Sequence, residues 1–143
     1  MAVLPTKRIV SRAHLDRWIR SDTHEQVVDF ISHLNSAVVG VTLTDPAVRT
    51  SDATGAVLAI LDEIEQLYHD TPPVDNGTSR FGNPAFRDFY DKLARRLDQL
   101  HQRLPNLDSE YIPELSVYLQ ESWGNRTRVD YGSGMELNFL CWL

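Results

Sequence analysis

Asn83-Pro84-Ala85-Phe86-Arg87-Asp88-Phe89-Tyr90-Asp91-Lys92-Leu93-Ala94-Arg95-Arg96-Leu97-Asp98-Gln99-Leu100-His101-Gln102-Arg103-Leu104-Pro105 carries the strongest structural signal in the chain. An asparagine can cap the amides of a first helical turn, and a proline suits the first helical position, where its missing N–H is no loss. Phe86, Phe89, Tyr90, Leu93, Leu97, Leu100 and Leu104 then recur at three- and four-residue steps until Pro105. That period predicts one continuous helix with a single apolar stripe facing a core. Toward the N-terminus, a helix after Ser51 and Asp52 would bury Val57, Ile60, Leu61, Ile64, Leu67 and Tyr68 and end before Thr71-Pro72-Pro73. Another begins near Asp22, spaced from Glu25 as in a capping box, and directs Val27, Val28, Ile31, Leu34 and Val38 inward before Gly40. Shorter helical patterns cover Ser11 to Arg20, with Leu15, Trp18 and Ile19 inward, and Ile112 to Trp123, with Leu115, Tyr118 and Leu119 inward. Val38 to Thr44 is β-branched, but no alternating run exists to pair with it. The predicted class is all-α.

At 143 residues, the chain reads as a single domain, 1–143. Twenty acidic against fourteen basic residues leave a net charge of -6, which repels nucleic acid and anionic lipid and argues against both as partners. The longest apolar run, Phe139 to Leu143, is far too short to cross a bilayer. The lone Cys141 cannot close an internal disulfide, and the N-terminal residues lack a signal-peptide core, which together point to an intracellular, reducing compartment. Gly134 to Leu143 reads as the first turns of an apolar helix that requires cover, so the chain is expected to be a truncated form of a longer one.

Two segments combine chemistry with turn signals. Gly124-Asn125-Arg126-Thr127-Arg128-Val129-Asp130-Tyr131-Gly132-Ser133-Gly134 places two arginines and a Gly-Ser-Gly turn just before a helix. Such a turn can aim several N–H groups at a phosphate, with Arg128 and the Ser133 hydroxyl as further donors. It lacks P-loop or dinucleotide spacing, so an ordinary loop at a helix start explains it too. In Arg80-Phe81-Gly82-Asn83-Pro84-Ala85-Phe86-Arg87, capping and core packing explain all but Arg80 and Arg87. Those two are either solvated charges or an edge that docks a carboxylate or phosphate. The five histidines are scattered, and Asp62, Glu65 and His69 read as a solvated acidic face, so no metal site is assigned. Cys141 reads as a buried, inert thiol.

Asp70-Thr71-Pro72-Pro73-Val74-Asp75, then Arg80-Phe81-Gly82-Asn83 with Phe86 and Arg87, then Glu121-Ser122, Gly124-Asn125 and Thr127 to Gly134 form three ordered motifs. They resemble the phosphotyrosyl phosphatase activator family, the activators of protein phosphatase 2A, and the likeness corresponds to the first half of that family. The resemblance implies an all-α protein that binds the phosphatase catalytic subunit and promotes its active, metal-loaded, serine/threonine-specific state. It also implies peptidyl-prolyl cis-trans isomerase activity and a location in cytoplasm and nucleus. ATP with magnesium is implied as the ligand, with Arg128, Gly132, Ser133 and Gly134 on the nucleotide and the magnesium ligands in the second half of the family pattern. Arg80, Gly82, Asn83 and Arg87 are the candidates for contact with the phosphatase, and Asp130, Tyr131 and Glu136 for the isomerase region. Met135 stands where the family usually has His, which removes an imidazole from that corner. The rival expectation is a noncatalytic helical interaction module, or an inactive truncated fragment.

Overall fold

The computed structural model describes residues 3–143. It is helical, and no strand is present among the described residues, as the periodicity predicts. Among the described residues seven helices follow in order: α1 (Arg12–Ile19), α2 (Asp22–Val38), α3 (Asp52–His69), α4 (Phe86–Ala94), α5 (Leu97–His101), α6 (Ile112–Gln120) and α7 (Ser133–Trp142). A 3₁₀ turn, Ser109–Tyr111, precedes α6. The chain divides into two compact units, residues 6–49 and residues 50–143 together with 3–5.

In the first unit, serines open both helices. Ser11 Oγ accepts from the His14 amide at 3.2 Å, and Ser21 Oγ accepts from the His24 amide at 3.2 Å. The cap of α2 is therefore Ser21, one residue before the predicted start. Trp18 meets His24 edge-on, with ring centroids 4.6 Å apart, which fixes the corner between α1 and α2. Gly40, at φ 76°, ends α2 in the left-handed conformation that a glycine adopts without strain. The predicted burial of this unit is not observed. Val28, Ile31, Leu34 and Val38 are exposed, as are Phe30 and Ile19, and α2 contributes no buried residue. Within the unit α2 packs only against eight-residue α1, which is about 12 Å long and cannot cover a 17-residue stripe.

The second unit holds the core. Ile60, Ile64 and Leu67 of α3 pack with Phe89 and Leu93 of α4, Leu97 and Leu100 of α5, Leu119 of α6 and Trp142 of α7. Tyr68, predicted inward, is exposed because it falls off the face that Ile60, Ile64 and Leu67 define. The helix predicted from Asn83 to Pro105 is divided. Its first turn is open: Asn83 Oδ1 accepts the amides of Ala85 at 3.0 Å and Val74 at 3.2 Å, while its Nδ2 donates to Val74 O at 2.7 Å. Asn83 thus staples the preceding loop to the turn, and α4 starts at Phe86 with no side-chain cap. Beyond Ala94 the backbone tightens, with the Arg96 amide donating to Leu93 O at 2.8 Å. A tighter turn advances more degrees per residue than an α-helix. The resulting phase leaves Leu97, Leu100 and His101 all buried on α5.

His101, fully buried, joins three helices. Its Nδ1 lies 2.8 Å from Leu97 O and 3.2 Å from Ser116 Oγ of α6, and its Nε2 accepts from Trp142 Nε1 of α7 at 2.8 Å. With Nε2 accepting, the proton belongs on Nδ1, where Leu97 O receives it. Burial pushes the imidazole pKa below its ordinary value. Cys141 on α7 is exposed, contrary to its predicted burial, because it points away from the face that buries Trp142.

Candidate functional site

The loop between α6 and α7 rests on two positive-φ residues, Gly124 at 137° and Val129 at 53°. A β-branched residue rarely adopts that region, so Val129 is strained and needs its surroundings to hold it. Part of the support is local. The Asn125 amide donates to Asp130 O at 3.0 Å and the Val129 amide to Asn125 O at 2.8 Å, closing a short antiparallel turn. Asn125 Oδ1 accepts the amides of Thr127 at 3.1 Å and Arg128 at 2.9 Å from inside it.

The rest of the support comes from the other motif. Arg87 Nε and Nη2 donate to the carbonyls of Arg126 and Thr127, each at 3.3 Å. One helical turn along α4, Asp91 receives both arms of the Arg126 fork, Nε to Oδ1 at 2.7 Å and Nη2 to Oδ2 at 2.6 Å. The hydrogen bond from Arg126 lowers the Asp91 carboxyl pKa, and Asp91 in turn firms the charge on Arg126. Gly82 is pressed on Val129 so closely that a Cβ there would stand 2.1 Å from Val129 O. A Cβ on Gly124 would meet the Phe86 ring at 2.9 Å. Beneath the loop, Tyr90 donates to Glu121 Oε1 at 2.5 Å, and burial followed by that carboxylate raises the phenol pKa.

The Gly-Ser-Gly turn leads directly into α7. Gly132 is extended and precedes Ser133, no side chain caps the helix, and the Met135 amide returns to Gly132 O at 2.8 Å. Nothing lies within 4 Å of where a Cβ would stand on Gly132 or Gly134, so neither glycine is hemmed in by another segment. Arg128 Nε is paired with Asp130 Oδ2 at 2.6 Å, both side chains largely exposed, and Glu136 adds a carboxylate in the first turn of α7. Tyr131 is exposed. No hydrogen bond or ion pair joins Asp130, Tyr131 and Glu136 among the described residues. Of the residues expected to meet a partner, Gly82 and Arg87 face the loop and Asn83 holds Val74. Arg80 lies over the exposed Phe81 ring, 5.5 Å from its centroid.

Asp91, which carries no functional reading in the sequence, and Tyr90, read there only as part of the apolar stripe, join Arg126 and Glu121 of the quoted motifs in the site. The four-residue spacing of Arg87 and Asp91 on one helical face was the available signal. Next to the site, an apolar groove of about 470 Å³ is lined by Leu61, Ile64, Tyr68, Phe86, Phe89 and Trp123. The Trp123 indole N–H is buried without a hydrogen-bond partner. Among the described residues no group of three His, Cys, Asp or Glu is placed to hold a metal. No helix there is long and apolar enough to cross a membrane.

Residues 5–143 match the family described as phosphotyrosyl phosphate activator (PTPA) protein. The chain is 53% identical over 140 residues to a serine/threonine-protein phosphatase 2A activator 2 of Cryptococcus neoformans, covering 98% of this chain and 36% of that relative. The protein of the same name from Mycosarcoma maydis is 49% identical, over 97% of this chain and 32% of its own length. That of Saccharomyces cerevisiae is 37% identical, over 99% and 40%. The crystal structure of the PP2A phosphatase activator Ypa1 matches with a TM-score of 0.82 at 31% identity, over 98% of this chain and 45% of that one. The chain therefore spans between about a third and just under half of the length of these relatives.

Proposed function

Because this chain belongs to the phosphotyrosyl phosphate activator (PTPA) family, we propose that it acts as an activator of serine/threonine protein phosphatase 2A through ATP-dependent contact with the phosphatase catalytic subunit. The observation that supports this most is the convergence of the 80–87 and 124–134 motifs on one site, in a chain whose relatives carry that activator name. The donor set suits a phosphate: uncapped first-turn amides, two glycines without steric cover, the Ser133 hydroxyl and the Arg128 guanidinium. In this proposal Arg128, Gly132, Ser133 and Gly134 hold the nucleotide phosphates, and magnesium enters with the nucleotide and the part of the longer relatives this chain does not match. The bound triphosphate supplies charge that orders the surface offered to the phosphatase. The setting is the cytoplasm and nucleus.

Peptidyl-prolyl isomerisation is part of the same proposal, with Asp130, Tyr131 and Glu136 lining the peptide. It needs no nucleophile: rotation about the X–Pro bond has a barrier of roughly 20 kcal/mol, and tighter binding of the twisted amide than the planar one lowers it. An isomerisation assay with and without the phosphatase tests this, and a rate at background in both removes the isomerase. The Arg128–Asp130 ion pair favours a second reading, a docking module that needs no nucleotide, since the guanidinium already has a carboxylate partner. Titration of ATP and magnesium against Trp123 fluorescence separates the two. A saturable change supports the nucleotide site, and a flat titration supports the module.

A further inference from the structure

We propose that Arg87 and Asp91 are positioning residues. They form a two-point clamp by which α4 holds the 124–130 turn in its strained shape, so that the affinity of the adjoining Gly132–Gly134 corner for phosphate is set from α4. The anion part rests on the nucleotide site proposed above; the clamp itself rests on geometry alone. Arg87 takes two successive carbonyls with one planar fork, a contact that needs both nitrogens at a fixed spacing. Asp91 takes both arms of Arg126 between those carbonyls and α4. Gly82 also presses on Val129, so the residue with the least tolerable backbone is held by the neighbouring segment as well.

The consequence is that Arg80–Asp91 and Gly124–Gly134 are not two independent sites. Two of the four residues expected to meet a partner, Gly82 and Arg87, are spent on the loop. Arg80, stacked over the exposed Phe81 ring, makes no contact of this kind with the loop. A partner that pulls on this segment alters the phosphate corner, and a phosphate that orders the corner stiffens the segment, because linkage is reciprocal.

The test measures amide hydrogen exchange at Asn125 and Val129 in the wild type, Arg87→Ala, Arg87→Lys, Asp91→Asn and the exchanged pair Asp91→Arg/Arg126→Asp, with urea unfolding of each as the control for the core. Arg87→Ala and Asp91→Asn are expected to raise exchange at both amides tenfold or more, with the unfolding midpoint nearly unchanged. Lysine at 87 is expected not to restore protection, since a point charge cannot span two carbonyls, while the exchanged pair restores at least part of it. Unchanged exchange in Arg87→Ala and Asp91→Asn overturns the clamp whether or not the loop takes nucleotide, and so does full protection with lysine at 87. Calorimetric titration of ATP with magnesium is the second arm. A wild type that binds should lose affinity at least fivefold in Arg87→Ala, and equal affinity overturns the control of the phosphate corner. A wild type that does not bind removes the nucleotide proposal and that control with it, leaving the clamp to be judged by exchange.

Discussion

Two glycines of the site respond to a methyl group in opposite ways. Gly82→Ala must displace the Val129 carbonyl, and backbone pressed from both sides gives little, so a loss of about 2 kcal/mol is expected by urea unfolding. Gly134→Ala meets nothing within 4 Å and replaces the poorest ordinary helix former by the best, so a gain of up to about 1 kcal/mol is expected. If the phosphate corner is used, the same alanine also narrows the approach to the α7 amides and weakens nucleotide binding, which separates stability from affinity in one variant. Both glycines stood out in the sequence as turn residues. Only Gly134 was legible as part of a helix start; the need for glycine at 82 comes from Val129, whose proximity no local pattern announces.

Helix by helix, local signals served starts and stops better than faces. Ser11, Ser21 and Ser51 cap α1, α2 and α3 through their own side chains, a contact within three residues, although for α2 the Asp22–Glu25 spacing points one residue too far. The division of α4 from α5 escaped because the period runs on through Arg95 and Arg96, while the packing of Leu97, Leu100 and His101 selects a tighter turn. His101 then governs how α5, α6 and α7 hold together. Its folded pKa is depressed by burial, so below the ordinary value of 6.5 the unfolded chain binds more protons than the folded one. Stability is therefore complete above that pH and is lost as pH falls through the window down to the folded pKa. The urea midpoint should decline on acidification in the wild type, and His101→Gln, whose amide can still accept from Trp142, should remove this contribution to the slope. Trp142→Phe leaves the buried Nε2 without its donor and should cost about 1–3 kcal/mol at neutral pH.

For the whole molecule, the exposed stripe on α2 has the clearest consequence. Phe30, Ile31 and Leu34 are 39%, 47% and 38% exposed, and contiguous apolar surface of this kind promotes association. Light scattering is expected to report a mass that rises with concentration. Ile31→Glu with Leu34→Lys should hold it at the monomer value and leave the unfolding of residues 50–143 unchanged; a mass independent of concentration in the wild type would remove the prediction. The sequence by itself determined the class of fold, the approximate place of most helices and the three motifs that mark the family, because those depend on spacings of three and four residues or on short runs of specific side chains. Tertiary structure alone decided which stripes are covered, where the longest helical pattern breaks, that His101 is buried, and that the 80–91 and 124–134 segments meet. Each of those depends on which distant surface arrives to displace water, and the periodicity of a helix names the face that seeks a partner without naming the partner.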